Sequence, residues 1–189
     1  MLNNLIAVLD AGAAGGGGSF ESIATATGTG SSGTITFSSI PSTYKHLQIR
    51  YIGRSDEVAT VRNLNIRLNG DTGTNYVYHN LTGDGSTATA AGVTAVAQML
   101  VRPIPAASAS ANIMGAGIID IHDYASTTKN KTVRTFVGAD ANTASTDWKV
   151  SLFSGLWLNT AAITSISLIA QSGNFTTNTT FALYGIKGA

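Results

Sequence analysis

A chain of 189 residues fits one domain preceded by a short arm, and nothing in it requires a second core. Charged residues make up only 11% and the formal net charge is +1, so there is no basic field to draw phosphate backbones and no acidic one to draw cations. Nucleic acid is therefore excluded as the main partner. Cysteine is absent, which removes disulfides, a thiolate nucleophile and cysteine zinc sites, and no run approaches the length of apolar helix that a membrane span requires.

The first predicted element is an arm over residues 1–18. Leu2, Leu5, Ile6 and Leu9 recur at the spacing of one helical face, but about two turns of helix are too short to be stable alone in water. The stripe therefore predicts a docking partner, and these four residues are the candidate partner-binding site. Gly15 to Gly18 form a tether. With the hook helical and the tether extended, the arm reaches roughly 45 Å. Ala11-Gly12-Ala13 has the small-residue character of a signal-peptide cleavage site, but no Lys or Arg precedes the apolar run, so the segment is read as an arm, helical or extended, and not as an export signal.

Residues 19–189 are predicted to form one all-β domain. Apolar residues recur at period two in short runs punctuated by Gly, Asn, Asp, Ser and Pro. Phe20 to Thr27 opens the series, with Phe20, Ser22 and Ala24 on one side and Ile23 and Thr25 on the other. Thr34 to Phe37 follows and ends before Pro41. His46 to Arg54 carries Leu47, Ile49 and Tyr51 on one face. Asn63 to Leu68 places Leu64, Ile66 and Leu68 inward and Asn65 and Arg67 outward, then meets Asn69-Gly70, a type I′ hairpin signal with Tyr76 to His79 as its return strand. One strand around Val96 to Val101 is expected within the small-residue stretch from Gly83 to Ala111, with long loops on both sides. Gly115 to His122, Thr132 to Val137, Trp148 to Leu158, Ile163 to Ile169 and Thr180 to Ile186 complete the set. This pattern predicts a two-sheet β-sandwich, specifically a jelly roll. No fixed-period repeat argues for a propeller, β-helix or fibrous shaft.

Chemistry is sparse. Asp120 and His122 lie two apart on a strand and share a face, where they can orient a general base, bind one metal ion, or form a hydrogen-bonded pair at a sheet face or subunit contact. The last reading is preferred, because two ligands do not close a metal site and His46 and His79 stand in no fixed spacing to them. No G-x-S-x-G elbow or phosphate loop occurs, and Asn69 to Gly73 has the composition of a calcium loop without its ligand ladder. The expectation is a protein without enzymatic activity, metal or cofactor. A glycan partner remains open through Trp148, Trp157, Tyr76, Tyr78 and Tyr124, although the apolar neighbours of Trp157 favour core packing. The sequons at Asn80, Asn130, Asn174 and Asn178 matter only in a secretory pathway.

Five segments together resemble a family of small virion proteins of tailed bacteriophages, of the type found with aquatic and cyanobacterial hosts. They are Ser19 to Thr25, Ile40 to Leu47, Asp123 to Thr132, Ser154 to Trp157 and Phe181 to Gly188. The resemblance spans nearly the whole chain and carries no catalytic residues. It implies a virion location and a capsid decoration or cement role, as a homotrimer contacting other virion proteins such as the major capsid protein. The alternative is a tail- or head-fibre component that binds a host-surface glycan.

Overall fold

Short runs of β-branched and aromatic residues at period two form fourteen strands in the computed structural model, which describes residues 18–141, 145 and 147–188. The hook residues Leu2, Leu5, Ile6 and Leu9, and Gly15 to Gly17 of the tether, lie outside the described residues. In chain order the strands are β1 (Phe20–Thr27), β2 (Thr34–Phe37), β3 (His46–Gly53), β4 (Val61–Arg62), β5 (Leu64–Leu68), β6 (Tyr76–Gly83) and β7 (Ala88–Val96). Then come β8 (Met99–Leu100), β9 (Ile104–Pro105), β10 (Gly115–His122), β11 (Lys131–Ala139), β12 (Lys149–Trp157), β13 (Ile166–Ala170) and β14 (Thr180–Ile186). Among the described residues there is no helix, and every strand pair is antiparallel.

An eight-stranded sheet has the order β1-β14-β3-β10-β11-β12-β6-β7, a four-stranded sheet the order β2-β13-β5-β8, and β4 pairs with β9. The pairings are nested: β1 with β14, β2 with β13, β3 with β10 and β5 with β8. Strands β11, β12, β6 and β7 extend the larger sheet beyond β10. Between the sheets lies one core. Leu47, Ile49, Ile119, Ile121 and Leu183 of the larger sheet meet Leu64, Ile66, Leu68, Ile166 and Leu168 of the smaller, all fully buried. The architecture is that of a β-sandwich. A smaller cluster of Ala109, Ala139 and Trp148 is separate from this core.

Several expectations need correcting. In β1 the register against β14 shifts between Ser22 and Ala24, so Ala24 and Thr25 take faces opposite to those that strict alternation assigns; a β-bulge adds one residue and inverts everything after it. Asn65 lies on the face opposite Leu64 and Ile66, as alternation assigns, but is buried there instead of exposed. Asn69 and Gly70 both adopt positive φ (50° and 65°), and the Asp71 amide donates to Leu68 O at 2.9 Å, as a type I′ turn requires. The turn nevertheless leads to no hairpin, because β6 pairs with β12 and β7 in the other sheet. Asp71 holds this crossover. Its carboxylate accepts from Trp157 Nε1 at 2.7 Å, Asn75 Nδ2 at 2.9 Å and the Gly73 amide at 2.8 Å. These bonds hold the Asp71 carboxyl below the usual range, with the Trp157 bond the largest cause. The stretch expected to be mostly loop contains β7, a nine-residue strand. It buries almost none of its side chains, so no alternation marks it in the sequence.

Candidate interaction face

Antiparallel registers carry side chains across the larger sheet in straight rungs, with alternate residues outward. On the outward side one rung runs Arg50, Ile118, Phe136, Leu152, Leu81, Ala90 from β3 to β7. The neighbouring rung toward one end runs Ile52, Ala116, Gly138, Val150, Gly83, Ala88. These two rungs hold large apolar groups where solvated sheets normally carry polar ones. Phe136 is 55% exposed, Leu81 53%, Ile52 51%, Leu152 50% and Val150 49%. Three adjoining hollows of about 710, 490 and 340 Å³ each include Phe136 in their walls. Isolated exposed apolar residues are ordinary; a contiguous group on adjacent strands marks an interaction surface.

Toward the other end the surface turns polar. The next rung runs Gln48, Asp120, Arg134, Ser154, His79. Gln48 Nε2 donates to Asp120 Oδ1 at 2.8 Å, and Arg50 Nε donates to Gln48 Oε1 at 2.9 Å. The Arg50 guanidinium lies 5.3 Å from the Phe20 ring centroid and 5.9 Å from that of Tyr184. Beyond this rung the rings of His46 and His122 meet edge to face at 5.1 Å. His46 Nδ1 accepts from the Asp123 amide at 3.1 Å. Burial, with His122 as a second cause, pushes His46 below its ordinary value. Asp123 is paired with Lys129 at 2.7 Å and Lys45 at 2.8 Å, and these cations, Lys129 first, hold its carboxyl well below the usual range.

Asp120 and His122 do share the outward face, but Asp120 takes its hydrogen bond from Gln48 and His122 packs on His46. Among the described residues no group of three or more His, Asp or Glu side chains is arranged to hold a metal ion. No protein-family model, curated protein or solved structure matches this chain. The reading of its surface therefore rests on its own geometry.

Of the aromatic residues considered for glycan contact, Trp148, Trp157, Tyr76 and Tyr124 are buried, and Tyr78 is half-buried against Phe153. Trp157 stacks on Tyr76 at 6.3 Å. The aromatic side chain that the outward face presents at its centre is Phe136, which sequence reasoning missed. Its signal was nonetheless present. In β12 the inward positions include Ser151 and Gly155 while Val150 and Leu152 occupy the alternate register, so the strand is apolar on the side that alternation assigns to solvent.

Proposed function

We propose that this chain is a non-enzymatic structural protein of a tailed-bacteriophage virion, a decoration or cement protein that stabilises the capsid through subunit contacts and its N-terminal arm. In this reading it works as a homotrimer against other virion proteins such as the major capsid protein. The observation that carries the proposal is the half-exposed apolar group around Phe136, which needs a covering surface, on a chain with few charges. The strand orders support the jelly-roll form of the sandwich. Taking β1, β2, β3, β5, β8, β10, β13 and β14 as the basic set, first pairs with last, second with seventh, third with sixth and fourth with fifth, which is the nested ribbon of a jelly roll. That fold is frequent among viral capsid and lectin domains.

A second reading, a fibre component binding a host-surface glycan, is favoured by one observation. The hollow of about 490 Å³ sets Phe136 beside His79, Asp120, Arg134 and Ser154, an apolar face flanked by convergent polar groups. Mass-spectrometric stoichiometry of purified particles separates the two. A copy number comparable to that of the major capsid protein supports cement, a handful of copies supports the fibre, and absence from particles overturns both.

A further inference from the structure

We propose that the free edge of β7 pairs antiparallel with β7 of a second copy of this chain, about a two-fold axis at Ala90, joining two eight-stranded sheets into one. The inference goes beyond the proposed function, because it adds a two-fold contact to that reading's three-fold one. A sheet edge is a row of unpaired amides and carbonyls, and folded proteins blunt it by shortness, charge, proline or a bulge. Three edges of the two main sheets are blunted in these ways. β2 has four residues and β8 two. β1 carries the register shift after Ser22 and the charge of Glu21, which Lys187 holds at 2.6 Å. β7 is different: its nine residues, Ala88–Val96, contain no charge and no proline, its register shift lies past Val93, and among the described residues it pairs with β6 alone.

The ladder determines which groups are free. The Leu158 amide donates to Asn75 O at 2.8 Å, which sets the alternation of hydrogen-bonded pairs and turns the odd-numbered residues of β6 toward β12. Tyr78, Asn80 and Thr82 therefore bond β7 at Val93, Ala91 and Thr89. Ala88, Ala90 and Gly92 are left with amide and carbonyl pointing away from the sheet. Two such edges fit each other. With the axis at Ala90, Ala88 meets Gly92 of the second copy, Ala90 meets Ala90, and Gly92 meets Ala88, about six hydrogen bonds at two per pair. No charge on β7 repels its copy, and both signs flank it: Asp84, which feels Lys149, at one end, and Arg67, which bonds Ala97 and Gln98 and acts on Asp71, at the other. The occupant follows from what the edge lacks. Thr89 and Ala91 are exposed on the inner side, so no second layer backs an added strand, and a loose peptide would gain backbone bonds alone against its ordering cost. A second β7 arrives already ordered on its own β6. The pairing also doubles the apolar face, because the rung through Phe136, Leu152, Leu81 and Ala90 continues into the same rung of the second copy.

Cysteine is absent, so introduced thiols report this contact without interference. In the proposed register Thr89 faces Ala91 of the second copy as a non-hydrogen-bonded pair, with Cα atoms about 4.5 Å apart, within the span of a disulfide. Full chains carrying Thr89→Cys are mixed in equal amounts with full chains carrying Ala91→Cys and oxidised, after circular dichroism has verified their strand content. The expected product joins one chain of each kind, several-fold in excess of like-chain dimers. Mixed dimers no commoner than like-chain ones, as random collision gives, overturn the inference, and so does the absence of dimers. Ala90→Pro added to both chains deletes an edge donor without touching the β6 ladder and should bring the mixed product down to the collision level; an unchanged yield overturns the pairing. Hydrogen exchange of the unsubstituted chain is a second readout. The amides of Ala88, Ala90 and Gly92 should be protected and lose protection on dilution, whereas fast exchange at every concentration overturns the inference. A mixed dimer from a chain absent from purified particles would leave the pairing standing and sink the virion reading; abundant copies in particles with no mixed dimer would do the reverse.

Discussion

Tyr51 illustrates how a single buried atom sets an energetic sign. Its ring packs at 5.3 Å from that of Phe181, but its hydroxyl is buried without a hydrogen-bond partner, and burial pushes its pKa up. Because an unpaired buried hydroxyl costs desolvation with no return, Tyr51→Phe should raise stability by about 1 kcal/mol in urea unfolding. Gly155 has the opposite sign. A Cβ there would collide with the Met99 sulfur, so Gly155→Ala should destabilise by about 1–3 kcal/mol in the same assay. His46 links residue chemistry to pH. Its folded pKa lies below its unfolded value of 6.5, so the unfolded chain binds the proton more readily. Its contribution to stability is complete above pH 6.5 and declines as pH falls toward the folded value. Asp123 contributes in a lower window: its depressed pKa stabilises the fold above 3.8, and this is lost with further acidification. Unfolding of His46→Gln as a function of pH should lack the upper slope and keep the lower one.

At the scale of elements, the two faces of the larger sheet should respond differently to substitution. Phe136→Ser with Leu152→Asn alters outward positions and should shift stability by less than about 0.5 kcal/mol per site, while lowering self-association in light scattering. Leu168→Ala in β13 removes a fully buried side chain between the sheets and should cost about 2–5 kcal/mol. The elements that sequence reasoning located well, such as β2 and β14, bury one face and therefore alternate cleanly. Lys131 defied that logic. It is a buried lysine whose ammonium donates to the carbonyls of Lys129 at 2.6 Å and Thr160 at 3.0 Å, a pairing no local pattern announces. β7 was illegible for the converse reason, since a strand exposed on both faces leaves no periodic trace. The partner of β6 was misassigned because Asn69-Gly70 fixes a turn but not which strand the chain meets afterwards. The apolar solvent side of β12 is visible in its own sequence, but the extent of the outward group around Phe136 emerges only when the registers from β3 to β7 are aligned.

For the whole molecule, the proposed reading takes scarce charge, an apolar sheet face and an apolar N-terminal stripe as the marks of a subunit whose surfaces are covered. Light scattering of the full chain at micromolar concentration should therefore give a mass above the monomer's 19.4 kDa, expected at three copies. Folding and attachment should also be separable, because the core found among the described residues draws on residues after the tether. The measurement that bears most directly on this account is particle incorporation of the Leu5→Asp/Ile6→Asp double variant, scored beside its melting temperature. The substitution removes two aliphatic anchors and forces two carboxylates to lose water at the interface, a penalty of at least several kcal/mol. The account predicts an unchanged melting temperature with incorporation lost; assembly onto particles at wild-type copy number would contradict it.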